Sequence, residues 1–194
     1  MSEPLNVLVL MTDQHSAHLL GCAGNPDVHT PNLDGLAATG TRFERAYVPF
    51  PLCVPSRASL ITGRYPHELG ITSNTAGSVR PGVLPGSLGH VFAAAGYDCA
   101  YGGKWHAPGP EVTPEDGFKP VHRFHDDGLA GSCGRWLRAR KDNPRPFLLV
   151  ASFDEPHTIC EFARFQPLPY GDLPPTELDQ APNLPANFGH QPYE

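Results

Sequence analysis

No apolar run in this chain is long enough to cross a bilayer. The run nearest its start, Leu5-Asn6-Val7-Leu8-Val9-Leu10-Met11, falls far short of the roughly 20 residues a spanning helix needs. A basic segment ahead of it and a small-residue cleavage site behind it are both missing, so it does not read as a secretory leader. Positive charge is also in deficit. There are 14 Lys and Arg against 20 Asp and Glu, a net charge of −6, which argues against a general nucleic-acid binder and leaves no basic patch for a membrane surface. Cysteine is sparse: the five thiols, at 22, 53, 99, 133 and 160, show no metal-site spacing. Their odd number argues against a closed disulfide framework. The expectation is a soluble, reduced, cytoplasmic chain.

Proline and glycine are plentiful, at 23 and 20 of 194 residues, so long loops are expected. A chain of this length can bury about 70% of its unfolded surface. Four stretches read as strands: Leu5 to Met11, Thr41 to Val48, Tyr97 to Tyr101 and Pro146 to Phe153. Leu5 to Met11 is a short continuous apolar run, as expected for a strand covered on both faces in a parallel sheet. Between them the spacing predicts helices from Pro31 to Gly40, from Pro55 to Gly63, from Ser87 to Ala95 and from Leu129 to Lys141. Glu111 to Asp127 shows no period, and its His122, His125, Asp126 and Asp127 read as turn and surface residues.

Chemistry collects just beyond strand ends in sheets of this type. Asp13 and Gln14 follow the first strand, Lys104 and His106 the third, and His157 the fourth. Cys53 stands just ahead of the helix that Pro55 opens, where free N–H groups and the dipole favour an anion. Arg57, one turn on, can add a planar fork of donors. A thiol phosphatase loop would need five residues between Cys and Arg, and here there are three. From the residues alone a buried structural Cys is the commoner role.

The stretch Cys53-Val54-Pro55-Ser56-Arg57, with Leu60-Ile61-Thr62-Gly63-Arg64, resembles the signature of the type I sulfatases. Asp13-Gln14, Pro66-His67-Glu68-Leu69-Gly70, Gly103-Lys104-Trp105-His106 and Pro156-His157 extend that resemblance. It implies an α/β, alkaline phosphatase-like sandwich, a mainly parallel sheet with helices on both faces. It further implies that Cys53 is converted to formylglycine by a formylglycine-generating enzyme. Asp13, Gln14 and the modified residue 53 would then hold Ca²⁺ or Mg²⁺. Arg57 and Lys104 would stabilise the sulfuryl group, His157 would protonate the leaving alcohol, and His106 would help regenerate the aldehyde. The implied substrate is a small-molecule or carbohydrate sulfate ester. A phosphonate monoester or phosphodiester hydrolase of the same superfamily is the alternative, as is an inactive truncated fragment. Gln14 departs from the resemblance, since many sulfatases have a second Asp there. No Asp-His pair occurs, and no strand candidate follows Phe153. The expectation is therefore the N-terminal part of a sulfatase catalytic domain over residues 1–165, with a Pro-rich irregular segment over 166–194, incomplete on its C-terminal side.

Overall fold

A computed structural model describes residues 4–75, 86–107, 109 and 111–171. The expected turn-rich stretch from Tyr65 to Pro85 lies outside the described residues from 76 onward, and the Pro-rich tail lies outside them from 172 onward. The chain divides into two compact units, and the larger runs to Gln14, resumes at Ala46 and ends at Tyr170. The smaller includes His15–Arg45.

The larger unit is built on a four-stranded parallel sheet in the order β1-β4-β2-β3. Its strands are β1 (Val7–Asp13), β2 (Asp98–Gly103), β3 (Lys119–His122) and β4 (Phe147–Pro156). Strand β4 lies between two partners, which is why Leu148, Leu149, Val150 and Ala151 form an unbroken apolar run buried to 2% exposure or less. Side chains on a strand alternate between faces. Leu148 and Val150 accordingly join Ile61, Tyr101, Trp105 and Phe118 in one core cluster. Leu149 and Ala151 join Ala100, Leu129 and Cys133 in the other.

Helices cover both faces, and of these α2 (Cys53–Thr62) supplies Ile61 to the first cluster. Helix α3 (Pro66–Leu69) packs on α2 through Leu69, against Val54 and Ala58. Helix α4 (Leu88–Ala94) sets Leu88 and Phe92 on the first cluster, and α5 (Leu129–Arg138) caps the second with Leu129 and Cys133. A short α6 (Ile159–Ala163) follows β4. Gly63 ends α2 as expected, at φ 66° with its N–H on the Ser59 carbonyl at 2.8 Å.

In the smaller unit, α1 (Pro31–Thr39) has no buried residue. It is held instead by Asp34, whose carboxylate accepts the Cys22 N–H at 2.7 Å and the Thr30 hydroxyl at 2.9 Å. The Cys22 N–H, followed by burial acting against it, keeps that carboxyl below its ordinary pKa.

Two expectations about strands are corrected. Thr41 to Val48 forms no strand, and Phe43, Tyr47 and Val48 are all at least 60% exposed. A strand gains nothing without a neighbouring strand to complete its hydrogen bonds, and none of the described strands pairs with this stretch. Conversely, β3 lies inside the aperiodic stretch. Its four residues include Pro120, which a strand tolerates at a sheet edge, and β3 is an edge.

Candidate active site

The parallel strands all point one way, so their carboxyl ends meet on one side of the sheet. Asp13 ends β1, Lys104 follows β2, and Asp154 lies near the end of β4. Period-two alternation puts Ser152 and Asp154 on the same face of β4 as Val150. Lys104 is held between two carboxylates, its Nζ 2.7 Å from Asp13 Oδ2 and 2.8 Å from Asp154 Oδ1. Its loop is set by Gly103, at φ 87°, where a Cβ would fall 2.0 Å from the Ser152 carbonyl oxygen. That close approach lets the Lys104 N–H reach the same oxygen at 2.8 Å. Tyr101 braces the loop from below, donating its hydroxyl to the Lys104 carbonyl at 2.8 Å. Its ring meets Trp105 and Phe118 edge-on at 5.1 and 5.6 Å.

Cys53 is the first residue of α2, with Leu52 as its cap. The adjacent Val54 N–H is taken by the Asn74 side chain at 3.1 Å. Arg57 is buried at 6% exposure. Its Nη1 donates to the Lys104 carbonyl at 2.7 Å and to Ser152 Oγ at 2.9 Å, and its Nη2 donates to Asp13 Oδ2 at 3.0 Å. The sequence suggests a fork turned toward a bound anion. In the structure these donors are turned to protein acceptors, and the charge of Arg57 reaches the site through Asp13.

One donor atom from each of Asp13, Cys53 and His157 lies within 4.8 Å of the other two. His157 is positioned by its own N–H on the Asp154 carbonyl at 2.9 Å, and its Nδ1 is 4.0 Å from Asp154 Oδ1. His106, half-buried, has φ 46°, and Gln14, exposed, has φ 58°. Both sit in the left-handed region where non-glycine residues are uncommon, Gln14 one residue beyond Asp13 and His106 two beyond Lys104.

The electrostatics follow from this crowding. Burial acts to raise the Asp13 pKa, but the hydrogen bond and charge of Lys104, then Arg57, outweigh it and hold the carboxyl below its ordinary value. Burial acts to lower the pKa of Lys104, and its bonds to Asp13 and Asp154 outweigh it in turn, so the ammonium is held charged. The Cys53 thiol is pushed up by burial and by the negative charge of Asp13, against the pull of Lys104 and Arg57. Unmodified, it is a protonated thiol at neutral pH and a poor nucleophile. His106 is pushed down by burial and by the Lys104 and Arg57 charges, which keeps its ring neutral and able to accept a proton.

Sequence reasoning missed three residues here. Asp154 shares Lys104 with Asp13, and Ser152 ties Arg57 and the Lys104 loop to β4. The Asp126 carboxylate accepts the Asp154 and Glu155 N–H groups at 2.8 and 2.9 Å and so fixes the end of β4. Two polar residues at alternate positions after an apolar strand were the available signal for the first two.

The model of the sulfatase family matches residues 5–186. The chain is a member of the sulfatase family. Arylsulfatase A of Homo sapiens is 42% identical over 129 residues, covering 64% of this chain and 25% of that protein. The uncharacterized sulfatase YidJ of Escherichia coli (strain K12) is 41% identical over 193 residues, covering 78% of this chain and 38% of that protein. The solved structure of a 2-O GAG sulfatase superposes with a TM-score of 0.73 at 31% identity, covering 95% of this chain and 42% of the other. The sulfatase chain described here thus spans a quarter to two fifths of the length of these relatives. Its parallel sheet with helices on both faces is part of the alkaline phosphatase-like fold.

The clustered donors suit a hard divalent cation only in part. Ca²⁺ takes six to eight oxygen ligands and Mg²⁺ six, whereas the clustered donors are one carboxylate, one thiol and one imidazole. The cluster supplies more oxygen only when residue 53 carries oxygen instead of sulfur.

Proposed function

We propose that this sulfatase sequence carries the nucleophile half of a sulfuric ester hydrolase site, with Cys53 converted to formylglycine by a formylglycine-generating enzyme. The observation that supports this most is the meeting of Asp13, Cys53 and His157 beside Lys104, from four separate segments, beyond the carboxyl ends of the sheet. The raised pKa of Cys53 argues in the same direction, because a thiol held protonated by burial and Asp13 gains little as a nucleophile in its own right.

Asp13, Gln14 and the oxygen of converted residue 53 would hold the divalent cation, Ca²⁺ or Mg²⁺, whose charge polarises the sulfate oxygens. Such a charge is needed. Asp13 and Asp154 formally balance Arg57 and Lys104, so those four side chains have no net attraction for an anion. A formylglycine hydrate at position 53 offers one hydroxyl oxygen to sulfur. Lys104, fixed between its carboxylates, faces the charge that develops there without reorganising. His157 donates a proton to the departing alkoxide. His106, neutral, takes the proton of the remaining hydroxyl as sulfate leaves and the aldehyde returns. Arg57 acts as a positioning residue that keeps Asp13 and the Lys104 loop in register. The substrate class is a small-molecule or carbohydrate sulfate ester, and the 2-O GAG sulfatase structure favours the carbohydrate.

The test is co-expression with a formylglycine-generating enzyme, followed by mass spectrometry of the Cys53 peptide. The expected result is the aldehyde mass. Recovery of the unmodified thiol alone would rule out the mechanism for this chain.

A further inference from the structure

We propose that, while residue 53 is still a thiol, the chain binds a thiophilic divalent cation of the Zn²⁺ class through Asp13, Cys53 and His157. The three donors come from the end of β1, the start of α2 and the turn after β4, and each lies within 4.8 Å of the other two. Bonds from Zn²⁺ to oxygen, nitrogen and sulfur of about 2.0–2.3 Å set tetrahedral ligands roughly 3.3–3.8 Å apart. Closure therefore needs movements of about 1 Å, within reach of side-chain torsions.

Several contacts prepare the site. Arg57 and Lys104 both sit on Oδ2 of Asp13, so its other oxygen can turn to a metal while the ion pairs persist. His157 Nδ1 is 4.0 Å from Asp154 Oδ1, so a small movement of the ring lets its Nδ1–H donate to that carboxylate and leaves Nε2 to ligate, a carboxylate–histidine–metal arrangement. The same carboxylate offsets the Lys104 charge that would repel a cation. On binding, the Cys53 thiol loses its proton to solvent and a metal–sulfur bond forms. No electron is transferred. Three protein ligands leave a fourth position to water.

The donor set decides the metal. Thiolate and imidazole select Zn²⁺ over hard cations, and oxygen donors reverse the order. Conversion of Cys53 removes the sulfur, so one site would bind different cations before and after modification. The inference rests on the formylglycine reading only for that reversal. The zinc site itself needs nothing but the thiol.

The experiment uses the purified, unconverted 194-residue chain. Titration with Co²⁺ should raise a thiolate-to-metal absorption band that Zn²⁺ abolishes by displacement and that Cys53→Ser never shows. Separately, iodoacetamide labelling is read by mass spectrometry on the Cys53 and Cys22 peptides. Zn²⁺ should slow labelling of Cys53 at least about tenfold and leave Cys22 unchanged, whereas Ca²⁺ should protect neither. Protection should be lost in His157→Ala and Asp13→Asn. The His157 ring is partly exposed, and circular dichroism of that variant should match the parent. If His157→Ala does not fold, His157→Gln replaces it. A Co²⁺ band that survives Cys53→Ser, Zn²⁺ protection that survives loss of His157, or equal protection by Ca²⁺ overturns the proposal. None of these results bears on whether the converting enzyme acts on the metal-free thiol.

Discussion

Strand β2 begins and ends in an ion-pair cluster, and the two clusters do different work. At its start, Asp98 faces two arginines, pairing with Arg140 and with Arg145 at 3.0 Å. At its end, Lys104 faces two aspartates, at 2.7 and 2.8 Å. Each cluster joins one charge to two of opposite sign. The Asp98 cluster is partly solvated, with the Arg145 side chain 57% exposed. Its partners come from the α5–β4 connection, and Arg140 is further held against the Trp136 ring at 4.7 Å. It is a clasp that ties the start of β2 to the start of β4. The Lys104 cluster is nearly closed off, with the Lys104 side chain 4% exposed and those of Asp13 and Asp154 at 11% and 9%. Beside it stand a thiol and an imidazole with no role in packing the sheet. Burial separates the two cases: charges out of water must be matched one by one, and what is matched there can be used.

The largest expected effect follows from removing the shared cation. Lys104→Met leaves Asp13 and Asp154 facing one another across a nearly closed site, with Arg57 compensating only the first. The expected loss is about 3 kcal/mol in urea unfolding, in the range for a broken buried pair. A loss as small as that of a surface pair would show that the cluster is solvated, and the contrast with Asp98 would collapse.

Next in size is Arg57→Lys. An ammonium cannot reach Ser152 Oγ, the Lys104 carbonyl and Asp13 together, as the guanidinium does. About 2 kcal/mol should be lost with the hydrogen bonds. Because Arg57 holds Asp13 and the Lys104 loop, the Co²⁺ titration should weaken in parallel. An unchanged titration would limit Arg57 to stability alone.

Alkaline pH sharpens the contrast from another side. The folded pKa of Lys104 is raised, since its carboxylate bonds outweigh burial. Its contribution is fully present below the unfolded lysine value of about 10.4 and is lost as pH rises through the higher folded value. In acid both clusters weaken together, because Asp13 and Asp98 are held low. In Asp13 the Lys104 and Arg57 contacts outweigh burial, and in Asp98 the Arg140 hydrogen bond leads. Their contributions are present above about pH 4 and lost as pH falls through the lowered values. Stability measured above pH 10 should therefore fall in the parent and stay flatter in Lys104→Met.

The sequence shows one end of β2 far more readily than the other, and shows neither completely. Strands β1, β2 and β4 are legible from their apolar residues, but burial on both faces holds for β4 and not for β1, a sheet edge whose Leu8 and Leu10 stay 48% and 57% exposed. Lys104 and His157 are legible because they stand directly beyond such runs. Asp154 is not, since its meaning depends on a lysine 50 positions earlier that only the β2–β4 pairing brings alongside. The direction of the Arg57 fork is equally hidden. Helical spacing aims it at the site, but the acceptors on β2 and β4 decide where its donors end. Thr41 to Val48 shows the converse failure, a strand pattern with no described strand to pair with.

The smallest effect is expected at Asp98, and salt is the way to see it. Asp98→Ala removes two ion pairs, yet Arg145 is mostly in water and Arg140 keeps its contacts with the Trp136 and Phe147 rings at 4.7 and 5.8 Å. Exposed pairs contribute about 0–1 kcal/mol, and the loss here should fall in the upper half of that range because the Arg140 side chain is 12% exposed. At about 1 M salt the screening length drops to roughly 3 Å, so most of the difference between Asp98→Ala and the parent should vanish. The penalty of Lys104→Met should persist, since salt screens a pair this buried far less than an exposed one. Two unfolding curves for each variant, at low and high salt, decide the matter. Equal screening of both penalties would mean that the two ends of β2 differ in neither burial nor kind.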